Sequence, residues 1–249
     1  DLLRGFFVFS LVVIHLRLWP NLLMTISGGS KLWVSVGIGF FCVSGFLFGY
    51  INRRLWRDSP QSSTLKSIKR ARALYLWSIF ATIVFTFWGN LLSVEYQKPA
   101  MWVFTHGNWV EMIWKTLTLQ YTYGWTDYLN YYVVYVFLSP VFFLLIDKFS
   151  WKIGVFISFL GYLFHSFSPY FGYQLIFFLS LTVGFYFESI VKYWEEVSVG
   201  NRKMILSITR LVFWFTLFAS IFSVHYLERF VQIVFASSNL SELMIHKNQ

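Results

Sequence analysis

The chain has 249 residues; 57% are apolar, 23% aromatic and only 12% charged, with a mean hydropathy of +0.59 and a formal net charge of +9. That balance excludes a soluble globular domain and points to an all-α polytopic membrane protein. A single cysteine, Cys42, excludes a disulfide framework, and its apolar surroundings predict a small buried hydrophobe.

Seven apolar stretches are long enough to span a bilayer, or nearly so: Leu2–Met24, Leu32–Ile51, Ala73–Val94, Tyr128–Ile146, Ile153–Phe167, Tyr170–Ile190 and Ile205–Leu227. The fifth is short. The first carries Arg4 and His15, eleven residues apart. At about 100° per residue the two share nearly one helix face, and they stand roughly 16 Å apart along the axis. With Arg4 at the cytoplasmic headgroups, His15 falls near mid-bilayer, where an ionisable group is costly and so a functional candidate. As neutral imidazole it suits a general base; the plainer reading is a bundle histidine bonded to a neighbour. Arg4 reads either as an interfacial anchor or as a holder of an anionic donor. Arg17 lies about 200° around the helix from His15 and reads as an outer anchor.

In the second stretch, Gly45 and Gly49 form a small-xxx-small pair that lets another helix approach closely. Ser44 in the same helix is expected to bond back to its own backbone. Arg53, Arg54, Arg57, Lys66, Lys69, Arg70 and Arg72 follow, against one acid, Asp58. The positive-inside rule places this region in the cytoplasm, so the basic excess is mainly topology and predicts no nucleic-acid partner. Asp58–Thr64 reads as a turn-rich break between helices. Lys69, Arg70 and Arg72 lead into the third helix and are the best placed to line an entrance for a phosphate-bearing donor such as coenzyme A. Alternation puts 95–127 outside, with a short amphipathic helix within Asn108–Gln120 and an interfacial aromatic cluster over Tyr121–Tyr128. His165 and Gln174 flank an outer turn over Ser166–Tyr173, where solvation accounts for them. No metal-ligand spacing, nucleotide-binding glycine pattern or serine-hydrolase elbow occurs. The whole of 1–249 reads as one membrane domain, cut from a longer protein at both ends.

Taken in order, several segments resemble the acyltransferase-3 superfamily of membrane-bound acyltransferases. They are Asp1-Leu-Leu-Arg4-Gly with His15, Gly39-Phe-Phe-Cys-Val-Ser-Gly-Phe-Leu-Phe-Gly49 and Lys69-Arg-Ala-Arg-Ala-Leu-Tyr75. Leu117–Tyr121, Asp127-Tyr-Leu-Asn-Tyr-Tyr132 with Pro140, and Gln174–Phe178 look most like the OpgC branch, which succinylates osmoregulated periplasmic glucans. The resemblance runs from Asp1 to about Glu188. It implies an O-acyltransferase of the bacterial inner membrane, multi-pass with a cytoplasmic N-terminus, moving an acyl group such as succinyl from cytoplasmic acyl-CoA to a carbohydrate hydroxyl outside. It implies no bound cofactor beyond that donor substrate, a catalytic His15, and supporting roles for Arg4 and Lys69–Arg72. Many relatives carry an acidic residue where this chain has Ile38 and Gly39, so the orienting partner of His15 stays open. The rival class is a glycan or lipid transporter without acyl transfer, which a midplane histidine would also serve; the internal symmetry typical of many transporters is missing. A further rival is a structural partner without chemistry, whose midplane histidine would tolerate leucine.

Overall fold

The computed structural model of the chain describes residues 2–16, 36–91, 108–124 and 126–222, leaving the side chains of Arg4 and of residues 11–16 outside the description. All regular structure among these residues is helical: α1 (Leu2–Leu16), α2 (Val36–Asp58), α3 (Pro60–Leu91), α4 (Trp109–Leu117), α5 (Asp127–Lys148), α6 (Trp151–Tyr162), α7 (Pro169–Glu196) and α8 (Val199–Phe222). Five of them, α2, α3, α5, α7 and α8, are long and apolar enough to cross a membrane. The predicted count of about seven is therefore not reached among the described residues. The first predicted span is described only to Leu16, and the fifth is the 12-residue α6, about 18 Å long. After Tyr162 the backbone turns on itself, with Phe164 N–H donating to Gly161 O, His165 N–H to Tyr162 O and Phe167 N–H to Phe164 O. Pro169 then opens α7.

Helix boundaries follow local chemistry. The basic region between the second and third spans is helix almost throughout, broken only at Ser59. Ser59 caps α3, its Oγ accepting from Ser62 N–H at 3.3 Å, and Pro60 takes the first helical position, where a missing N–H costs nothing. The capping bond and that proline explain why a turn-rich sequence yields one non-helical residue. α4 starts on Asn108, whose side chain accepts from Glu111 N–H. It ends where Leu119 adopts a left-handed φ of 58°. Pro140 sits inside α5, tolerable in a spanning helix whose neighbours can satisfy the freed carbonyl.

The chain divides into two compact units, Asp1–Arg4 with Phe40–Glu188, and Gly5–Gly39 with Ser189–Gln249. In the first, α2, α5 and α7 run in one direction: Phe48 meets Phe143 and Trp56 bonds Asp147, while Phe142 stacks on Phe178 at 4.4 Å and Tyr186 bonds Ile146 O. α3 runs opposite, pairing Ser78 with Asn130 and Thr82 with Thr126. This up-and-down order agrees with the alternation read from charge. Gly45 and Gly49 supply the expected close approach: a Cβ on either would strike the backbone oxygen of Phe177 or Leu181 in α7. Gly184 of α7 returns the contact on Phe46 O. Between lipid-exposed helices hydrophobic burial drives little, so such van der Waals contact carries the association. The short helix expected within Asn108–Gln120 forms as α4 and packs lengthwise on α3, Trp109 beside Phe87 and Leu117 O bonded by Tyr75, with Met112 fully buried. In the second unit, Phe7 lies on Gly39, and α8 buries only Ser220, as an all-round apolar helix can when its surroundings are lipid.

Candidate functional site

Along α3 the buried residues are all small: Ser63, Ser67, Ala71, Ser78, Thr82 and Thr86. Spacings of four and seven put them on one helix face, which lets α5 approach. From Ser78 toward the end of α3 every buried hydroxyl on this seam has a partner. Ser78 Oγ donates to Asn130 Oδ1 at 2.5 Å, and the Asn130 amide donates to Thr122 Oγ1. Thr82 meets Thr126 at 3.3 Å and Thr86 meets the Tyr121 hydroxyl at 3.2 Å. Beyond the helix ends Tyr123 is partly withdrawn from water, and that burial, helped by Tyr121, holds its hydroxyl above the usual phenol range.

The other half of the seam differs. Ser44, Phe48 and Asn52 of α2, Lys66, Ser67 and Arg70 of α3 and Tyr132 of α5 border a cavity of about 70 Å³. Arg70 Nη2 donates to the Tyr132 hydroxyl at 3.1 Å. Its guanidinium carbon stands 5.8 Å from the Phe48 ring centre and 5.9 Å from that of Tyr132, so two aromatic faces hold the cation's plane. Asn52 Nδ2 donates to Phe48 O and Ser67 Oγ to Ser63 O. Ser44 is 1% exposed, and its Oγ has no hydrogen-bond partner among the described residues. The expected bond to its own helix backbone is therefore not made. Leaving a buried hydroxyl unmatched costs about 1–3 kcal/mol. Among the described residues no Asp or Glu borders this cavity.

Of the three predicted donor-binding cations, only Arg70 borders the cavity. Lys69 and Arg72, exposed like Arg70 itself, lie about 100° and 200° around α3 from it, so one face cannot gather all three. Lys66, one turn before Arg70, takes their place; its (i, i+4) spacing was the available signal. Arg53 is buried against Glu188 of α7, Nη1 to Oε2 at 2.9 Å. Trp56 Nε1 donates to Asp147 at 3.1 Å. Gln174 is held in α7, donating to Ser158 O at 2.6 Å, while exposed His165 stacks on Tyr162. Cys42 is exposed instead of buried and accepts from Ser180 Oγ at 3.3 Å; it borders a cavity with Leu2 and Leu3 at the start of α1. Arg4 and His15 both belong to α1; their side chains, like all of Arg17, lie outside the described residues. No group of three or more His, Cys, Asp or Glu among the described residues could hold a metal ion.

No curated protein and no solved structure matches the chain. The family model described as OpgC protein matches residues 1–246. With that match running almost end to end over a helical chain with five membrane-crossing candidates, the chain belongs to the OpgC family.

Proposed function

We propose that the protein is an inner-membrane O-acyltransferase that moves an acyl group, such as succinyl, from cytoplasmic acyl-CoA to a hydroxyl of a periplasmic or cell-surface glucan. Membership of the OpgC family over residues 1–246 is the observation that carries this reading. The cation-lined cavity between α2, α3 and α5 supports it, because a thioester donor brings anionic groups to that side. His15 is the general base: Nε2 or Nδ1 takes the proton of the sugar hydroxyl as its oxygen attacks the thioester carbonyl. The tetrahedral oxyanion collapses, the C–S bond breaks, and the imidazolium returns the proton to the departing coenzyme A thiolate. Arg4 and the Lys69–Arg72 segment assist at the donor side, Arg70 at the border of the cavity and Lys69 and Arg72 as a basic rim outside it. The N-terminus is cytoplasmic in this scheme, consistent with the basic stretch Arg53–Arg72.

Replacing His15 with alanine is expected to lower transfer from succinyl-CoA to a glucan oligosaccharide by about 100-fold or more, with the protein still inserted in the membrane. Transfer at the wild-type rate in that variant defeats the assignment of the base. A wild-type chain that releases no coenzyme A and acylates no glucan defeats acyl transfer itself.

A further inference from the structure

The cavity between α2, α3 and α5 combines four features that the family assignment does not explain. Two cations, Lys66 and Arg70, border it, and among the described residues no carboxylate does. Arg70 has five N–H donors, yet the only hydrogen-bond acceptor it meets among the described residues is the Tyr132 hydroxyl. Ser44 Oγ is buried and unmatched among the described residues. The space is small, about 70 Å³, enough for roughly five water-sized groups at 10–15 Å³ each.

Each feature alone has a plainer reading, but together they describe an incomplete anion site. Lys66 and Arg70 are both exposed side chains, and no carboxylate among the described residues borders the cavity beside them, so an anion entering it meets two positive charges and no negative one. The unmatched hydroxyl and the spare guanidinium donors call for the same thing, a compact acceptor with two oxygens. A nucleotide is far too large for the space. The pyrophosphate of coenzyme A is substituted at both ends, whereas its 3′-phosphate and a carboxylate ending a short acyl chain each have one free end, and the carboxylate is the smaller of the two.

We propose that the cavity bordered by Ser44, Lys66, Arg70 and Tyr132 binds the free carboxylate of a dicarboxylic acyl group on the donor, and so selects acyl chains that end in an anion over neutral chains of the same length. The inference rests on the acyl-transfer reading above and adds to it the residues that read the far end of the acyl group. Arg70 supplies two parallel N–H donors to the carboxylate, Lys66 a second positive charge, and Ser44 the hydroxyl that is otherwise unmatched. No bond is made or broken there; the cavity positions the donor while the thioester reacts elsewhere.

The test compares succinyl-CoA with butyryl-CoA, equal in carbon count, as donors to a glucan oligosaccharide with the purified full chain. The wild type is expected to favour succinyl-CoA in kcat/KM by about 10- to 100-fold, the worth of a charged hydrogen-bond set. Arg70→Gln is expected to erase that preference and Ser44→Ala to reduce it about 3- to 10-fold, mainly by weakening use of succinyl-CoA. Ser44→Ala removes one oxygen that bonds nothing, so it keeps the test open if Arg70→Gln does not fold. An unchanged preference in a folded variant overturns the proposal, as does an equal fall for both donors, which marks a phosphate contact. Free succinate is assayed in parallel against inorganic phosphate by thermal shift of the wild type. Stabilisation by succinate, weakened in Ser44→Ala, upholds the site even if no transfer from any donor is seen and the acyltransfer reading fails. Stabilisation by phosphate alone, or by neither, overturns it.

Discussion

Helix α2 meets two of its neighbours in opposite ways. Toward α7 it presents Gly45 and Gly49, and the two backbones close to the point where a single added Cβ would strike a carbonyl oxygen. Toward α3 it presents Ser44, Phe48 and Asn52, and there a cavity remains with a buried hydroxyl unmatched. One face is sealed by having no side chain. The other is kept apart by side chains that do not fully satisfy one another. In a bilayer, where burial of apolar surface gives little drive for helix association, the sealed face carries stability and the open face is free to serve a ligand.

That contrast is broken most severely at the sealed face. Gly49→Ala is expected to destabilise the protein by about 2–3 kcal/mol, because the new methyl meets the Leu181 backbone oxygen, which cannot rotate away. Thermal unfolding in detergent reads the effect. A loss below that of Ser44→Ala would show that the glycine crossing is not the tighter of the two.

A middle case lies on the α3–α5 seam beyond the cavity. Asn130 is 3% exposed and holds Ser78 on one side and Thr122 on the other. Asn130→Leu removes both bonds and strands the Ser78 hydroxyl in a buried place, costing about 1–2 kcal/mol. Ser44→Ala, on the open half of the same seam, should cost nothing in stability, since the oxygen it removes has no partner. The two variants measured side by side separate a satisfied seam from an unsatisfied one.

What the sequence reveals of this arrangement is uneven, for physical reasons. The glycine pair is legible because its meaning is local: four-residue spacing puts both on one face whatever the partner. Helix directions are legible from the basic residues between Arg53 and Arg72, which report side and not contact. The Ser59–Pro60 junction is harder, since turn-forming residues also cap helices, and here one serine and one proline confine the break to a single residue. α6 runs only to Tyr162 although its apolar run continues through Phe164; hydropathy alone cannot locate where the backbone turns back toward α7. The cavity is least legible. Lys66 and Arg70 share a face by spacing, and the same spacing turns Lys69 and Arg72 away, yet only the third dimension brings Ser44 and Tyr132 to them. The exposure of Cys42 depends on the packing of Leu2, Leu3 and Ser180 around it, which no local pattern encodes.

The smallest expected effect tests whether polar bonds outside the buried seam matter at all. Tyr75 donates its hydroxyl to Leu117 O at 2.6 Å, tying the middle of α3 to the last turn of α4. The contact is exposed, so Tyr75→Phe releases a carbonyl that other groups can still reach, and the cost is expected at about 0.5 kcal/mol. α4 keeps its other anchors, Met112 buried and Trp109 beside Phe87. The variant should therefore unfold close to the wild type while Asn130→Leu does not. Equal losses for Tyr75→Phe and Asn130→Leu would mean that burial is not what separates the two seams, and the distinction between the sealed and open faces of α2 would lose its physical basis.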